Sequence, residues 1–236
     1  MKQDIYAAYI NGPELLVFTD STHDRIKQDV MASTLYAQLA ADRQFNKFTH
    51  HRQWQAALLK ARTTFGWLRL DLESVEGGWV DSPTFSPLDI INELLPARQN
   101  PWPAATLEHL IASLFASPQT APAAALLKHS LCRSVEAACH DTGAVIATAS
   151  VVLQMGVVLP DAEKVSICVA FETTEPIAEN PFAQRLSRHS LVGDIKCWRL
   201  IDVLDDLRYS PFRQRITEAL QDRREELILP IDGLES

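Results

Sequence analysis

The segment that most constrains the fold is GAVIATASVVLQMGVVLP, residues 143–160, because it is apolar on both faces of an extended chain. Such a strand needs cover on both sides, so it belongs in the middle of a sheet that lies between two layers. A Pro160-Asp161 turn separates it from KVSICVAFE at 164–172, where large apolar side chains alternate with smaller or polar ones. The two segments therefore predict two central strands of one sheet.

The first half of the chain carries helical periodicity instead. Two short strands around Gly12-Pro13 precede apolar residues at helical spacing, and three of the helices are expected to begin at a Ser or Thr cap. The predicted helices are STHDRIKQDVMASTLYAQLAADRQ, capped by Ser21; HHRQWQAALLKARTTF, capped by Thr49; SPLDIINELL, capped by Ser86; TLEHLIASLFA; and ALLKHSLCRSVEAAC.

Three further elements complete the predicted fold. WLRLDLE is a half-buried strand at a sheet edge, with Leu68, Leu70 and Leu72 on one face, and DIKCWRLIDVL is another strand. SPFRQRITEALQDRREELILPI is a closing helix that begins at Ser210 and Pro211. We expect an α+β fold, a largely antiparallel sheet with an N-terminal helical half packed against it. Residues 1–236 form a single domain in this interpretation, with a possible subdomain break near 96–123.

Charge and cysteine usage limit the location and the partners. The net charge of −8 disfavours binding to nucleic acid or to an anionic membrane. No secretory signal or membrane-spanning helix is expected, and the four cysteines are scattered without a CxxC pair, so reduced thiols and a cytoplasmic location are predicted. A remote alternative is a membrane-inserting protein that uses the apolar hairpin 145–171.

The familiar signatures of catalysis and cofactor binding are absent from the sequence. It contains no phosphate-binding glycine loop, no GxSxG elbow and no HExxH zinc motif. Only eight glycines occur, which leaves little material for a loop that brings backbone amides close to a phosphate. No cofactor is expected.

Three weaker clusters of polar residues could carry chemistry. Cys139-His140-Asp141 has the residue types of a nucleophile, a base and an orienting acid, but neighbours in sequence seldom point at one atom. His50 and His51 lie one residue apart rather than four, so they are expected to open a helix and not to hold a metal. Three carboxylates could bind a divalent cation, and they are Asp202, Asp205 and Asp206.

Loop tryptophans and C-terminal arginines are the positive hints of a function. Tryptophan and arginine are enriched at the energetic centres of protein interfaces. The candidate binding residues are Trp79, Trp102, Arg185, Arg188, Arg199, Arg213 and Arg215. The sequence therefore favours a non-enzymatic cytoplasmic protein that binds another protein, and a homodimer is one form that such binding could take. The alternative is a metal-dependent hydrolase that uses the Asp202, Asp205 and Asp206 cluster.

Overall fold

The computed structural model describes residues 7–19, 22–76, 82–95, 104–138 and 145–231. Its helices are α1 (Asp24–Asp42), α2 (His51–Thr64), α3 (Pro87–Leu94), α4 (Ala104–Ala116), α5 (Ala121–Leu131), α6 (Asp206–Leu220) and α7 (Arg223–Leu227). Its strands are β1 (Ala7–Asn11), β2 (Glu14–Phe18), β3 (Trp67–Glu76), β4 (Thr84–Phe85), β5 (Cys132–Ala138), β6 (Val145–Val158), β7 (Glu163–Thr173), β8 (Leu186–Ser187), β9 (Lys196–Leu204) and β10 (Ile228–Pro230).

Within these residues the main sheet has eight strands, in the order β10-β1-β2-β6-β7-β9-β3, with β5 also paired to β6. The β2–β6 pair is parallel, and the other pairs of this sheet are antiparallel. Strands β4 and β8 form a separate small ladder. The α+β fold with a largely antiparallel sheet is confirmed; four of the described helices, α1 to α4, lie in the N-terminal half, and α5 follows just after it.

Strand β6 is the centre of the sheet, as its two apolar faces predict. Its first half pairs with β5, and its second half pairs with β2, where Leu16 lies opposite Gly156. Along its other side it pairs with β7. The hairpin proposed for membrane insertion is therefore built into the sheet on both sides.

Helices cover both faces of the sheet. One face packs against α3, α4 and α5 through residues such as Leu153, Ile167 and Leu110, all buried. The other face packs against α1, α2 and α6, where Trp54, Trp67 and the ring of Tyr209 are buried. Alternate side chains of each central strand thus enter two separate apolar layers.

Several predicted helix boundaries are wrong, among them the end of the closing helix, where Ile228–Pro230 is strand β10. CRSVEAA was expected to continue α5, but Cys132–Ala138 is strand β5, since pairing with the first half of β6 outweighs its weak helical preference. The closing helix begins at Asp206 and not at Ser210, because the side chain of Asp205 caps it by accepting from the amide of Arg208 at 2.8 Å.

Pro211 consequently lies inside α6 rather than at its first position. Proline has no amide hydrogen and cannot bond to the carbonyl four residues earlier, which here is that of Leu207. The hydroxyl of Ser210 donates to this carbonyl at 3.2 Å, so the group remains satisfied and the helix continues.

Other helix starts agree in part with the sequence. Ser86 caps α3 as predicted, and its hydroxyl accepts from the amide of Asp89. The predicted Thr49 cap is one residue early, since His50 occupies the cap position of α2 and makes no side-chain capping bond. Ser21, the predicted cap of α1, lies outside the described residues.

Strand β3 lies at the edge of the sheet, as predicted, but its leucines do not share one face. The register shifts between Arg69 and Asp71, so Leu70 is the extra residue of a β-bulge. Leu70 is 57% exposed, while Leu72 is partly buried against the layer of α2.

Candidate functional site

Two of the arginines predicted to bind a partner, Arg199 and Arg213, are held in ion pairs within the chain. Arg199 lies within 2.9 Å of carboxylate oxygens of Asp71 and Glu73, and Arg213 makes two 2.9 Å hydrogen bonds to Asp29. These bonds to Asp29 raise the pKa of the Arg213 guanidinium above its usual value. Arg185, Arg188 and Arg215 are exposed. Trp79 and Trp102 lie outside the described residues, as do Cys139, His140 and Asp141.

The three aspartates of the proposed metal cluster have three different roles. Asp202 is buried in β9, Asp205 caps α6, and Asp206 is ion-paired to Arg25 and Arg213. No group of three His, Cys, Asp or Glu side chains that could hold a metal ion occurs within the described ranges. The structure therefore does not bring these carboxylates together around a common point.

The two histidines open α2 as predicted. Thr49 Oγ1 lies 2.9 Å from His50 Nδ1, and the His51 ring stacks on Trp54 with 6.4 Å between centroids. The indole of Trp54 donates to Asp42 at 2.6 Å, which fixes the first turn of α2 to the end of α1.

Two buried ion pairs lie between the sheet and helices α1 and α2. Lys164 Nζ is 2.8 Å from Glu14 Oε2, and Arg62 Nη2 is 2.6 Å from Asp202 Oδ1. All four side chains are at most 3% exposed. Lys164 and Asp202 are directly opposite each other on β7 and β9, so the two pairs form one network.

Neutral groups extend this network. Gln38 donates to Glu14 at 3.3 Å, and the second guanidinium nitrogen of Arg62 donates to Ser166 at 3.1 Å. The guanidinium of Arg62 also lies over the ring of Trp67, 4.2 Å from its centroid, a favourable cation–π geometry.

Burial determines the protonation of the network. Desolvation lowers the pKa of Lys164 to about 8, although Glu14 opposes this change. Desolvation raises the pKa of Asp202 to about 6 against the opposing charges of Arg62 and Lys164. The network joins α1 and α2 to the sheet through buried side chains.

Gly156 makes the Lys164–Glu14 pair possible. It lies on β6, between β2 and β7, and a Cβ at this position would be 2.6 Å from both Glu14 Oε1 and Lys164 Cε. Such a distance is well inside van der Waals contact. The absent side chain opens the path by which Lys164 reaches across β6 to Glu14.

Two of the three large apolar side chains that are exposed in the described residues lie near one edge of the sheet. Leu207 is 85% exposed in the first turn of α6, and Leu70 is 57% exposed on β3. The amide of Asp205 donates to the carbonyl of Gly66, which joins the start of α6 to the start of β3. We call β3 together with Leu70 and Leu207 the β3 edge. Sequence reasoning missed Leu207, since it lies where a turn was expected.

Several clefts open on the side of α1 and α2, two of them at the starts of helices. One, of about 740 Å³, lies where the first turns of α1 and α6 meet, and its wall includes Arg25, Asp29, Asp206 and Tyr209. Two of its carboxylates, those of Asp29 and Asp206, are paired to arginine. The other, of about 520 Å³, lies beside the start of α2.

In the described part of the chain, no single helix has the length and apolar character needed to cross a membrane. The segments Ala105–Ala116 and Pro118–Leu131 satisfy the criterion only when taken together, and they meet at an angle of 78°.

Comparisons with known proteins do not assign a family. No family model matches the chain, and no curated protein matches it. A solved structure named delta-endotoxin aligns over 82% of this chain and 84% of its own, with 13% sequence identity and a TM-score of 0.42. A likeness at this level carries no argument about function.

Proposed function

We propose that the protein is a non-enzymatic binding protein that acts through protein–protein contacts, and that its partner is a second copy of the same chain. The observation that carries this proposal is the β3 edge. With ten residues β3 is longer than the other strands at the sheet margins, β5 with seven and β10 with three. Its outer backbone groups face no other strand of the described sheet.

A second β3 edge is a chemically suitable partner. An unpaired strand presents donors and acceptors that another unpaired strand can match, and a two-fold axis places the same patch on both copies. The acidic residues Asp71 and Glu73 would repel their counterparts, but Arg199 pairs with both and offsets one of the two negative charges within each chain. Leu70 and Leu207 then supply apolar surface, and burial of a leucine contributes about 1.5–3 kcal/mol.

Sedimentation equilibrium over a range of protein concentrations tests the proposal. We expect a dimer for the wild type and at least a tenfold weaker association for the double variant Leu70→Lys/Leu207→Lys. The matched control is Val192→Lys, because Val192 is also an exposed apolar residue (44%) but lies outside the β3 edge. A wild-type monomer at every concentration, or a double variant that dimerises as tightly as the wild type, would overturn the proposal.

We also propose a cytoplasmic location for this binding protein. The support is that Cys132, Cys168 and Cys197 are free thiols. Burial raises the pKa of Cys132 to about 11 and that of Cys197 to about 12, which keeps both in the unreactive thiol form. Alkylation in denaturant of protein taken from its own host tests this part, and a disulfide found by mass spectrometry would contradict it.

A further inference from the structure

A third cleft lies beside the C-terminal half of α1 and contains no residue of the β3 edge. Its volume is about 370 Å³, within the range of small-molecule sites. Side chains from one face of α1 form one wall, and they are Leu35, Gln38, Leu39 and Asp42. The turn at Gly12-Pro13, residues 45–48 and the ends of α5 and α7 form the rest.

Gln38 carries a buried acceptor that has no donor. The residue is 1% exposed, and its side-chain nitrogen donates to Glu14 at 3.3 Å, but no donor among the described residues reaches its Oε1. This oxygen lies at the wall of the cleft, because a Cβ on Gly12, itself a wall residue, would be 3.2 Å from it. Buried polar groups nearly always form hydrogen bonds, so this oxygen indicates a donor that a ligand supplies.

Lys47 carries a charge without a bonded partner. The residue is 8% exposed, its Nζ lies 5.2 Å from the centroid of the Phe48 ring, and it makes no hydrogen bond or ion pair with the described residues. Burial of an ammonium group is costly unless a counter-charge accompanies it. The amine of Lys47 is therefore suited to an anionic group of a ligand.

Lys47 also lines the cleft beside the start of α2, but its electrostatic partner belongs to the 370 Å³ cleft. Burial lowers the pKa of Lys47 to about 8, and the charge that most opposes this change is the carboxylate of Asp42. Asp42 lines the 370 Å³ cleft and not the other. This cleft thus combines the amine, that carboxylate and the unpaired oxygen of Gln38.

The cleft wall offers sites for both a positive and a negative group. Asp42 accepts from the indole of Trp54 through Oδ1, and its Oδ2 makes no hydrogen bond with the described residues. Gln38 and Asp42 are four residues apart on α1, so their acceptor oxygens lie one helical turn apart on the same wall. One lysine and one aspartate, together with the exposed His129, are the titratable residues of the wall, so a ligand that carries one charge of each sign matches it.

We propose that this cleft binds a small zwitterion of the α-amino acid type that has an apolar side chain. The ammonium group of the ligand donates to Gln38 Oε1 and to the carboxylate of Asp42, and its carboxylate pairs with Lys47. The rings of Phe45 and Phe48 provide apolar surface for its side chain. This binding is independent of self-association through the β3 edge.

Calorimetric titration with L-phenylalanine, L-leucine and two analogues of phenylalanine tests the proposal. Phenethylamine lacks the carboxylate, and phenylpropionate lacks the ammonium group. We expect each amino acid to bind at one site with a dissociation constant of about 1 mM or below. Each analogue should bind at least tenfold more weakly than L-phenylalanine, because it satisfies only one of the two charged groups.

Two variants distinguish the two ends of the ligand. Lys47→Met should weaken binding of L-phenylalanine at least tenfold without weakening that of phenethylamine, which has no carboxylate for Lys47. Asp42→Asn retains an acceptor for the indole of Trp54, and it should weaken binding of L-phenylalanine without weakening that of phenylpropionate. The matched control is Lys60→Met, which removes a lysine charge from an exposed position on α2 and should bind as the wild type does.

Four outcomes would overturn the proposal: no saturable binding of either amino acid, analogues that bind as tightly as L-phenylalanine, no loss in Lys47→Met, or an equal loss in Lys60→Met. Circular dichroism confirms that each variant is folded. Should a variant not fold, the analogues and amide NMR of the wild type decide. Shifts on addition of L-phenylalanine should be concentrated at Gly12 and residues 45–48, and shifts elsewhere would refute the site.

Discussion

Lys164 on β7 forms an ion pair of 2.8 Å with Glu14 on β2, across the intervening strand β6. Two strands that do not touch each other are thereby joined by side chains through the space above Gly156. A buried pair of this kind adds little net stability compared with apolar residues, but loss of one partner is costly. The first two predictions concern this pair.

Replacement of Lys164 by methionine should destabilise the protein by about 3–5 kcal/mol, because Glu14 would be left as an unpaired buried charge. The double variant Glu14→Gln/Lys164→Met should recover most of this loss, since neither charge remains. Urea denaturation measures both, with the exposed Lys60→Met as control. Additive losses in the double variant would show that the two side chains are not coupled.

Gly156→Ala should lower the free energy of unfolding by about 1–3 kcal/mol, as expected for overpacking in a core. The added Cβ would lie 2.6 Å from Lys164 Cε and Glu14 Oε1 and 2.8 Å from Leu16 Cδ1. The midpoint of urea denaturation is the measurement, and an unchanged midpoint would contradict the close approach.

Lys47 predicts a particular dependence of stability on pH. Burial lowers its pKa from 10.5 to about 8, so between these values the unfolded chain holds a proton that the folded protein has released. The free energy of unfolding therefore rises with pH across this window. Below pH 8 the burial of the charged Lys47 side chain destabilises the folded protein by its full amount, about 3 kcal/mol. Lys47→Met should be more stable than the wild type at neutral pH, and the difference should shrink towards pH 10.5.

Denaturation of the two proteins at several pH values, in the absence of added amino acids, measures that difference. Groups common to both proteins cancel in the comparison. A difference that does not vary with pH would show that the Lys47 ammonium is not destabilised by burial.

Asp205→Ala should cost about 1 kcal/mol, since it removes the cap of α6. If Asp205 acts only as a cap, Mg²⁺ should not change the midpoint of thermal unfolding of the wild type. A Mg²⁺-dependent rise in this midpoint that disappears in Asp205→Ala would instead support the metal-dependent hydrolase.

The sequence predicts the fold class well because periodicity is a local property. The two apolar faces of 145–158 indicate a central strand, and the alternation in 67–73 indicates an edge strand. The partner of a strand can lie far from it in the sequence, and a local pattern does not reveal that partner. Cys132–Ala138 was therefore predicted to be helical, although it pairs with β6 as a strand. The regular alternation of apolar and polar residues in WLRLDLE likewise does not indicate the β-bulge at Leu70.

The buried ion pairs were not predicted, and only one of their residues carried a usable signal. Trp54, Leu58 and Arg62 recur four residues apart, so helical spacing places this arginine on the buried stripe of α2. Glu14 lies beside a turn and Lys164 near the start of a strand, where charged side chains are commonly exposed. Only the packing of α1 over the sheet encloses them.

The position of β6 has a consequence for the order in which the protein can form as it is synthesised. The β1–β2 hairpin finds its parallel neighbour only when residues 154–158 have left the ribosome. An isolated two-stranded hairpin is at best marginally stable in water, so the apolar segment Glu14–Phe18 stays exposed while all the residues between are made. We therefore expect the nascent chain to be most prone to aggregate during translation of its helical half.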